Sequence, residues 1–416
     1  MENNTKKLKL NLKQLILWSS AMLLGCGLGL LGCKQLDEFF NFVSSVYSNL
    51  FKFVAVPTIA LAITSTLAQL GGKKNTGKIF LHTINYTLLT TLVAAVVGAV
   101  LFMTIKPGNL PVPEEGVASV QSKADNDGKW QGVTVYEHVL KVVPGNVVEP
   151  FSSSNVLSIV LVAAAVGLAI SAKRDSENIQ VLYKGILGLQ EMFFTLIKAL
   201  VWSLPLGIVA FSAQLTAMDT GSAAGSLGKY VLVVLGGNVL QFFIILPLFL
   251  LARRINPLKV FRGMLPAVLM ALFTKSSMAT LPVTISSAEN NLNAKPEVSR
   301  FVLPICCTIN MNGCAAFILV TSLFVMQNGG VTLSLATIAL WVLIAVIAAV
   351  GNAGVPMGCY FLTLSLMAGM NMPIWVLGVI LPVYAVIDMI ETAVNVWSDS
   401  CVCAMVDKDV APAQDK

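Results

Sequence analysis

Residues 384–402 read YAVIDMIETAVNVWSDSCV. Apolar side chains fill most of this stretch, yet it carries Asp388, Glu391, Asn395 and Asp399. On a helix the four lie at about 0°, −60°, −20° and +20°, with Thr392 at about +40°. The strongly polar groups therefore share one face roughly 100° wide. Carboxylates inside an apolar helix are expensive to bury and mark pathways for ions, protons or charged ligands. Interhelical hydrogen bonding accounts for a lone asparagine but not for three carboxylates beside it. The stretch predicts a ligand- or ion-handling helix inside a membrane.

The rest of the chain agrees with a membrane setting. Its 416 residues are 56% apolar and only 12% charged, with a mean hydropathy of +0.80, whereas soluble domains carry about 25% charged residues. Apolar runs near 11–33, 44–70, 80–105, 154–172, 192–217, 229–252, 300–326, 331–350 and 373–397 are each close to the roughly 20 residues a spanning helix needs. They predict about eight spans plus irregular membrane segments. The basic start MENNTKKLKLNLKQ leads into the first span without a small-residue cleavage site, which predicts a retained helix.

The net charge of +6 does not point to nucleic acid, because the cations gather at span edges: Lys6, Lys7, Lys9 and Lys13; Lys73, Lys74 and Lys78; Lys173 and Arg174; Arg253, Arg254, Lys259 and Arg262. That distribution is a topology signal. It falls at the start and after the second, fourth and sixth spans, so the N-terminus and every second loop are expected in the cytoplasm. Segment 106–149, with four lysines and six acidic residues, is expected outside.

All eight cysteines, at 26, 33, 306, 307, 314, 359, 401 and 403, lie within or against apolar runs. Segment 106–149, where an outside disulfide would be expected, has none. His82 and His138 are isolated and paired CxxC motifs are missing, so the four converging N or S ligands of a structural zinc are not indicated. Cys306–Cys307 and Cys401–Cys403 are expected to be small packing residues, and no cofactor is predicted.

The chain divides near residue 255. Long uninterrupted spans precede it; after it, polar clusters recur inside apolar stretches at 274–280, 308–314, 351–358 and 388–399. Two clusters also interrupt the backbone: LFTKSSMATLPV (272–283) and AAVGNAGVPMGCYF (348–361). Gly and Pro kinks can serve helix packing, but irregular backbone at membrane depth survives where it is buried or lines a wet cavity. Two interrupted segments, each near a polar span, predict the tips of re-entrant hairpins at a transporter's binding site. An intramembrane aspartyl protease is disfavoured, since Asp388 and Asp399 lie roughly 16 Å apart along one helix and a dyad needs carboxylates about 3 Å apart. A channel would need a polar stripe through several spans, which the first part lacks. The carboxylate spacing instead suits one group for an ammonium and another, deeper, for a cation.

In order and spacing, TKSSMATLPV, TINMNGCA (308–315), GNAGVPMG (351–358) and DMIETAVNVWSD (388–399) resemble the signature regions of the dicarboxylate/amino acid:cation symporter family, closest to its sodium-coupled serine/threonine branch. The first part agrees in its number of spans and in Thr90–Thr91. The resemblance implies an all-α polytopic membrane protein with eight transmembrane helices plus two re-entrant helical hairpins, assembled as a homotrimer among membrane lipids in the cell (inner) membrane, both termini cytoplasmic. It divides the chain into a scaffold and trimerisation part, 1–255, a transport core, 256–406, and a tail, 407–416. Spans three (80–105) and six (229–252) are expected to move with the core.

Carried over residue by residue, the resemblance implies that Asp388 holds the substrate's α-ammonium and Asn395 its α-carboxylate. Ser276, Ser277 and the tip with Val355 and Pro356 help through backbone groups, and Cys314, Glu391 and Thr392 complete the substrate site. Asp399 with the carbonyls of Cys306 and Asn310 matches one sodium site. Carbonyls around Thr308, Val350 and Asn352 match a second, with Asn395 beside them; oxygens are what a hard cation takes.

Three departures from the family pattern bear on substrate. Glu391 stands where acidic amino acid carriers place an arginine, and a carboxylate there repels a dicarboxylate. Asn312 stands where the family has NMDG, removing the charge of a third sodium site built with Thr90 and Thr91. Cys314 replaces a threonine that meets the substrate side chain. The expectation is a sodium-coupled elevator symporter for a small neutral amino acid, serine or threonine, with no chemistry on the substrate. The alternative is a dicarboxylate or acidic amino acid carrier coupled to sodium or protons, and Lys275 is expected to pair with Glu391.

Overall fold

The computed structural model describes residues 16–17, 20–70, 77–110, 143–152, 156–217, 220–350, 352, 357–370 and 372–410. Its long elements are helices: α1 (Ser20–Gly29), α2 (Lys34–Leu70), α3 (Gly77–Ile105), α4 (Val156–Ala172), α5 (Glu177–Ala217), α6 (Thr220–Leu240), α7 (Leu246–Ala252), α8 (Pro257–Thr274), α9 (Ser277–Leu292), α10 (Pro296–Ile309), α11 (Asn312–Asn328), α12 (Leu335–Val350), α13 (Gly358–Gly369) and α14 (Trp375–Val410). Among the described residues there is no strand.

Among the described residues, four helical stretches are long and apolar enough to cross a membrane, or six if each of two bent pairs counts as one span, beside shorter apolar helices. The two interrupted segments are where the sequence places them. Asn256 caps α8 by accepting from Leu258 N and Lys259 N, and Pro257 supplies a first residue whose missing N–H is not needed there. The helix stops at Lys275, left-handed at φ 54°, and Ser276 reverses it in extended conformation while capping α9 from its hydroxyl. Arms α8 and α9 pack against each other as the first hairpin. α12 and α13, 16 and 12 residues long, flank the second interrupted segment and each packs on α11; α13 begins after Met357, φ 60°.

Three irregularities were not expected. The span from Pro296 to Asn328 is interrupted between α10 and α11, where Asn310 and Met311 leave helical dihedrals. Gly and Pro are missing from the break, so periodicity alone reads through it. It frees carbonyls at the end of α10 and N–H groups at the start of α11. The sixth span widens into a π turn, Gln241–Ile245, a feature frequent at functional sites. α14 bends by 80° between its legs Trp375–Leu381 and Val386–Val410, so it is not the single straight helix assumed for the polar ladder. Residues 388–399 all lie on the second leg, and their common face survives.

Helix α2 packs on α4 and α5, while α3 packs on α6 and α11. α14 lies against α8, α10 and α11. Two large buried apolar clusters result among the described residues, beside a small one of Phe40, Ala210 and Ala213. One large cluster joins α3, α6, α11, α12 and α13 to Tyr384 and Ile387; the other joins α7, the first hairpin and α10 to Ala393, Trp397 and Cys401. The polar face of α14 falls where the clusters meet. At one end of the fold Asp409 accepts from Arg253 and from Tyr86 Oη, and Lys408 Nζ donates to the Arg254 carbonyl at 3.1 Å. The start of α3 and the ends of α7 and α14 therefore share one side. Large apolar side chains such as Trp202, Leu206 and Phe243 are exposed on the outer helix faces, as a bilayer-facing surface requires.

Candidate functional site

Asp388, Glu391, Thr392, Asn395 and Asp399 are all buried on one leg of α14. Around them lie Met357, just before α13, and the break between α10 and α11. At the upper end both Asp388 carboxylate oxygens lie 3.3 Å from the Met357 N–H. Tyr384 Oη lies 3.4 Å from Asp388 Oδ1 and from Glu391 Oε2. Thr392 turns its hydroxyl onto the Asp388 carbonyl at 2.7 Å, within the helix. Ser276 is fixed as a cap, its Oγ accepting from Ala279 N at 3.2 Å and its carbonyl from Thr280. Ser277 is buried in the first turn of α9, where N–H groups have no intrahelical partner and favour an anion.

Asn395 bridges to the neighbouring broken span. Its Oδ1 accepts from Gly313 N at 2.9 Å, and its Nδ2 lies 3.2 Å from Cys314 Sγ. Sulfur is a weak acceptor, so an arriving carboxylate can replace it at the amide. Cys314 also meets Asn352 Nδ2 at 3.0 Å and is disulfide-bonded to Cys359, their Cα atoms 5.6 Å apart. Glu391 Oε1 is buried without a hydrogen-bond partner among the described residues. A buried acceptor left so costs about 1–3 kcal/mol, and a ligand donor would recover it.

One stage deeper lies a pocket of hard oxygens. Asn310 Nδ2 donates to Asp399 Oδ1 and to Ser398 Oγ, each at 2.9 Å, and Asn312 Nδ2 donates to Ser398 Oγ at 2.6 Å. Thr90 Oγ1 donates to Asn310 Oδ1 at 3.1 Å and Thr91 Oγ1 to Asn312 Oδ1 at 2.8 Å. The Cys306 carbonyl accepts from Asn310 N at 2.8 Å, keeping a second lone pair, and Thr308 Oγ1 caps back onto Ile305 at 2.8 Å. Val350 ends α12, and Asn352 N bonds Ala349. The carboxylate with the open carbonyl end of a half-helix is a donor set for a small hard cation.

Of the expected site residues, Asn395, Cys314 and Asn352 are joined by hydrogen bonds, as are Asn310 and Asp399, and Tyr384 links Asp388 to Glu391; Val355 and Pro356 lie outside the described residues. The expected pairing of Lys275 with Glu391 stays an expectation: Lys275 sits at the turn of the first hairpin, φ 54°, and Glu391 Oε2 lies 3.4 Å from Tyr384 Oη. Sequence reasoning missed Tyr384, Met357, Ser398 and Cys359, which polar patterning does not mark. It also missed Asn238 and Gln241, buried in the sixth span three residues apart, whose amides inside an apolar run were a visible signal.

Comparison with known proteins gives one consistent result. The family profile described as the sodium:dicarboxylate symporter family matches residues 12–409. An excitatory amino acid transporter of Caenorhabditis elegans is 28% identical over 93% of this chain and 85% of its own length. One of Onchocerca volvulus is 28% identical over 93% and 87%. Excitatory amino acid transporter 3 of Bos taurus is 27% identical over 93% and 84%.

Proposed function

We propose, from the premise that the chain belongs to the sodium:dicarboxylate symporter family, that this sodium-coupled membrane transporter carries serine or threonine into the cell. The observation that carries the substrate class is Glu391. Its Oε2 faces Tyr384 and its Oε1 has no partner among the described residues. An amino acid held at its ammonium by Asp388 and at its carboxylate by Asn395 points its side chain toward Glu391 and Cys314, where a hydroxyl donates to the open oxygen. An ionised acidic side chain has no donor to offer. At about 4 Å and an effective dielectric of 20, two like charges repel by about 4 kcal/mol, roughly a thousandfold in affinity. The names of the relatives supply the competing reading, an acidic amino acid, which the carboxylate of Glu391 in the site disfavours.

Sodium is cargo in this account. Asp399, Asn310 and the carbonyls at the end of α10 bind one ion; carbonyls near Thr308, Val350 and Asn352 bind another. Asn312 is neutral and its Oδ1 is already filled by Thr91, which supports a smaller sodium count than a carboxylate there would give. Residues 256–406 form the moving unit with spans three and six, and the contacts of Asp409 with Tyr86 and Arg253 support that grouping. The remaining spans form the trimeric scaffold in the inner membrane, with the basic edges cytoplasmic. Glu391→Arg tests the substrate: serine binding should be lost and aspartate binding gained. A variant that keeps serine and gains no aspartate removes Glu391 from side-chain recognition.

A further inference from the structure

We propose that Cys314, Cys359 and Glu391 form a binding site for a soft divalent cation, zinc or cadmium, distinct in chemistry from the oxygen sites for sodium. The two sulfurs and a Glu391 carboxylate oxygen lie within 4.8 Å of one another, and all three side chains are buried. A separate observation points to a ligand there. Glu391 Oε1 and Asn352 Oδ1 are both buried acceptors without a partner among the described residues, although Asn352 turns its Nδ2 to both sulfurs at 3.0 and 3.2 Å. A cation satisfies Oε1 directly, with no donor required.

The ligand types choose the metal. Two thiolates and a carboxylate suit zinc or cadmium, whereas sodium takes oxygen alone. Tetrahedral zinc holds two sulfurs roughly 3.8 Å apart, a separation that rotation about the Cα–Cβ bonds reaches from Cα atoms 5.6 Å apart. Water or Asn352 Oδ1 takes the fourth position. Binding displaces the two thiol protons, so it weakens as pH falls.

The three ligands come from α11, α13 and α14. The ion therefore clips α13 to the two helices that carry the substrate contacts, and it consumes the acceptor that serine would use. Loss of uptake on metal addition rests on the transport reading above; the binding does not. The structure joins these two cysteines as a disulfide, which leaves Glu391 as the only ligand, so the proposed site belongs to the reduced protein and the oxidation state belongs to the test.

Protein purified under reductant, then freed of it, is denatured and alkylated; both Cys314 and Cys359 should be labelled, and a pair that resists labelling overturns the proposal. Native protein is then titrated with cadmium and the thiolate-to-cadmium absorption followed. Saturable absorption is expected, weakened at least tenfold in Cys314→Ser and in Cys359→Ser, since losing even an outer-shell partner costs about 10–100-fold. Glu391→Gln should weaken binding while keeping the band. No band, or a band unchanged in both serine variants, overturns the site; the second result would assign it to other cysteines. In liposomes cadmium should inhibit sodium-driven serine uptake, reversibly with a chelator. Inhibition that persists in both serine variants removes the link between this site and transport, while the absorption titration still decides the binding.

Discussion

Gly313→Ala perturbs the contact on which the site's geometry depends. A Cβ at position 313 would lie 2.9 Å from Glu391 Cα, 3.0 Å from the Glu391 carbonyl oxygen and 2.9 Å from Asn238 Oδ1. Two of these atoms are backbone, so no side-chain rotation relieves the overlap. α11 and α14 must part by several tenths of an ångström, and the Gly313 N–H bond to Asn395 Oδ1, now 2.9 Å, stretches out of hydrogen-bond range. Overpacking costs about 1–3 kcal/mol and the lost bond about 0.5–1.5 kcal/mol. The expected destabilisation is about 2–4 kcal/mol by these terms together. Because Asn395 moves with α14, serine affinity should fall about 10–100-fold, equivalent to about 1.4–2.8 kcal/mol. The assay is thermal unfolding in detergent with calorimetric titration of serine in saturating sodium. Gly185→Ala on α5, whose Cβ would meet nothing within 4 Å, is the control; it should gain about 0.5–1 kcal/mol and bind serine unchanged. A Gly313→Ala protein that unfolds and binds like the unsubstituted chain refutes the close approach of α11 to α14.

Asp388→Asn should abolish serine binding in a calorimetric titration with little loss of expression, and an unchanged affinity would make Asp388 a structural residue. Asp399→Asn should leave the protein inserted but greatly reduce the sodium dependence of uptake; wild-type sodium dependence would remove Asp399 from the ion path. Reversal potentials should give fewer than three sodium ions per substrate, because Asn312 is filled by threonine hydroxyls rather than charged. At the exposed end of the first hairpin, hydrogen bonds from Arg300 and Ser299 hold Glu289 below the ordinary carboxylate value of 4.5. Its contribution is complete above that value and is lost as pH falls through the lowered one, so Glu289→Gln should depress the unfolding midpoint at pH 7 and converge with the parent in strong acid. A difference that persists there would contradict the pairing.

The first interruption was legible at Ser276, whose hydroxyl caps α9, although Pro282 of the same cluster lies inside that helix and does not break it. The ladder on α14 was legible because its angular positions depend on local helix geometry, which the bend before Val386 does not disturb. The break at Asn310–Met311 was not, since residues with ordinary helical freedom occupy it and the tertiary polar network on Ser398 and Asp399 holds it open. Spacing along α14 says which groups share a face, but not what a residue on another hairpin, such as Lys275, reaches. Cys359 joins Cys314 across 45 residues, a proximity that only folding creates.

The central claim is tested by reconstituting the purified chain in liposomes and measuring labelled serine uptake under an imposed inward sodium gradient, with unlabelled aspartate as competitor. Saturable accumulation above equilibrium that disappears when the gradient is collapsed, and that excess aspartate does not suppress, is the expected result. Uptake indifferent to the sodium gradient, or aspartate accumulating while serine neither enters nor competes, would contradict the account.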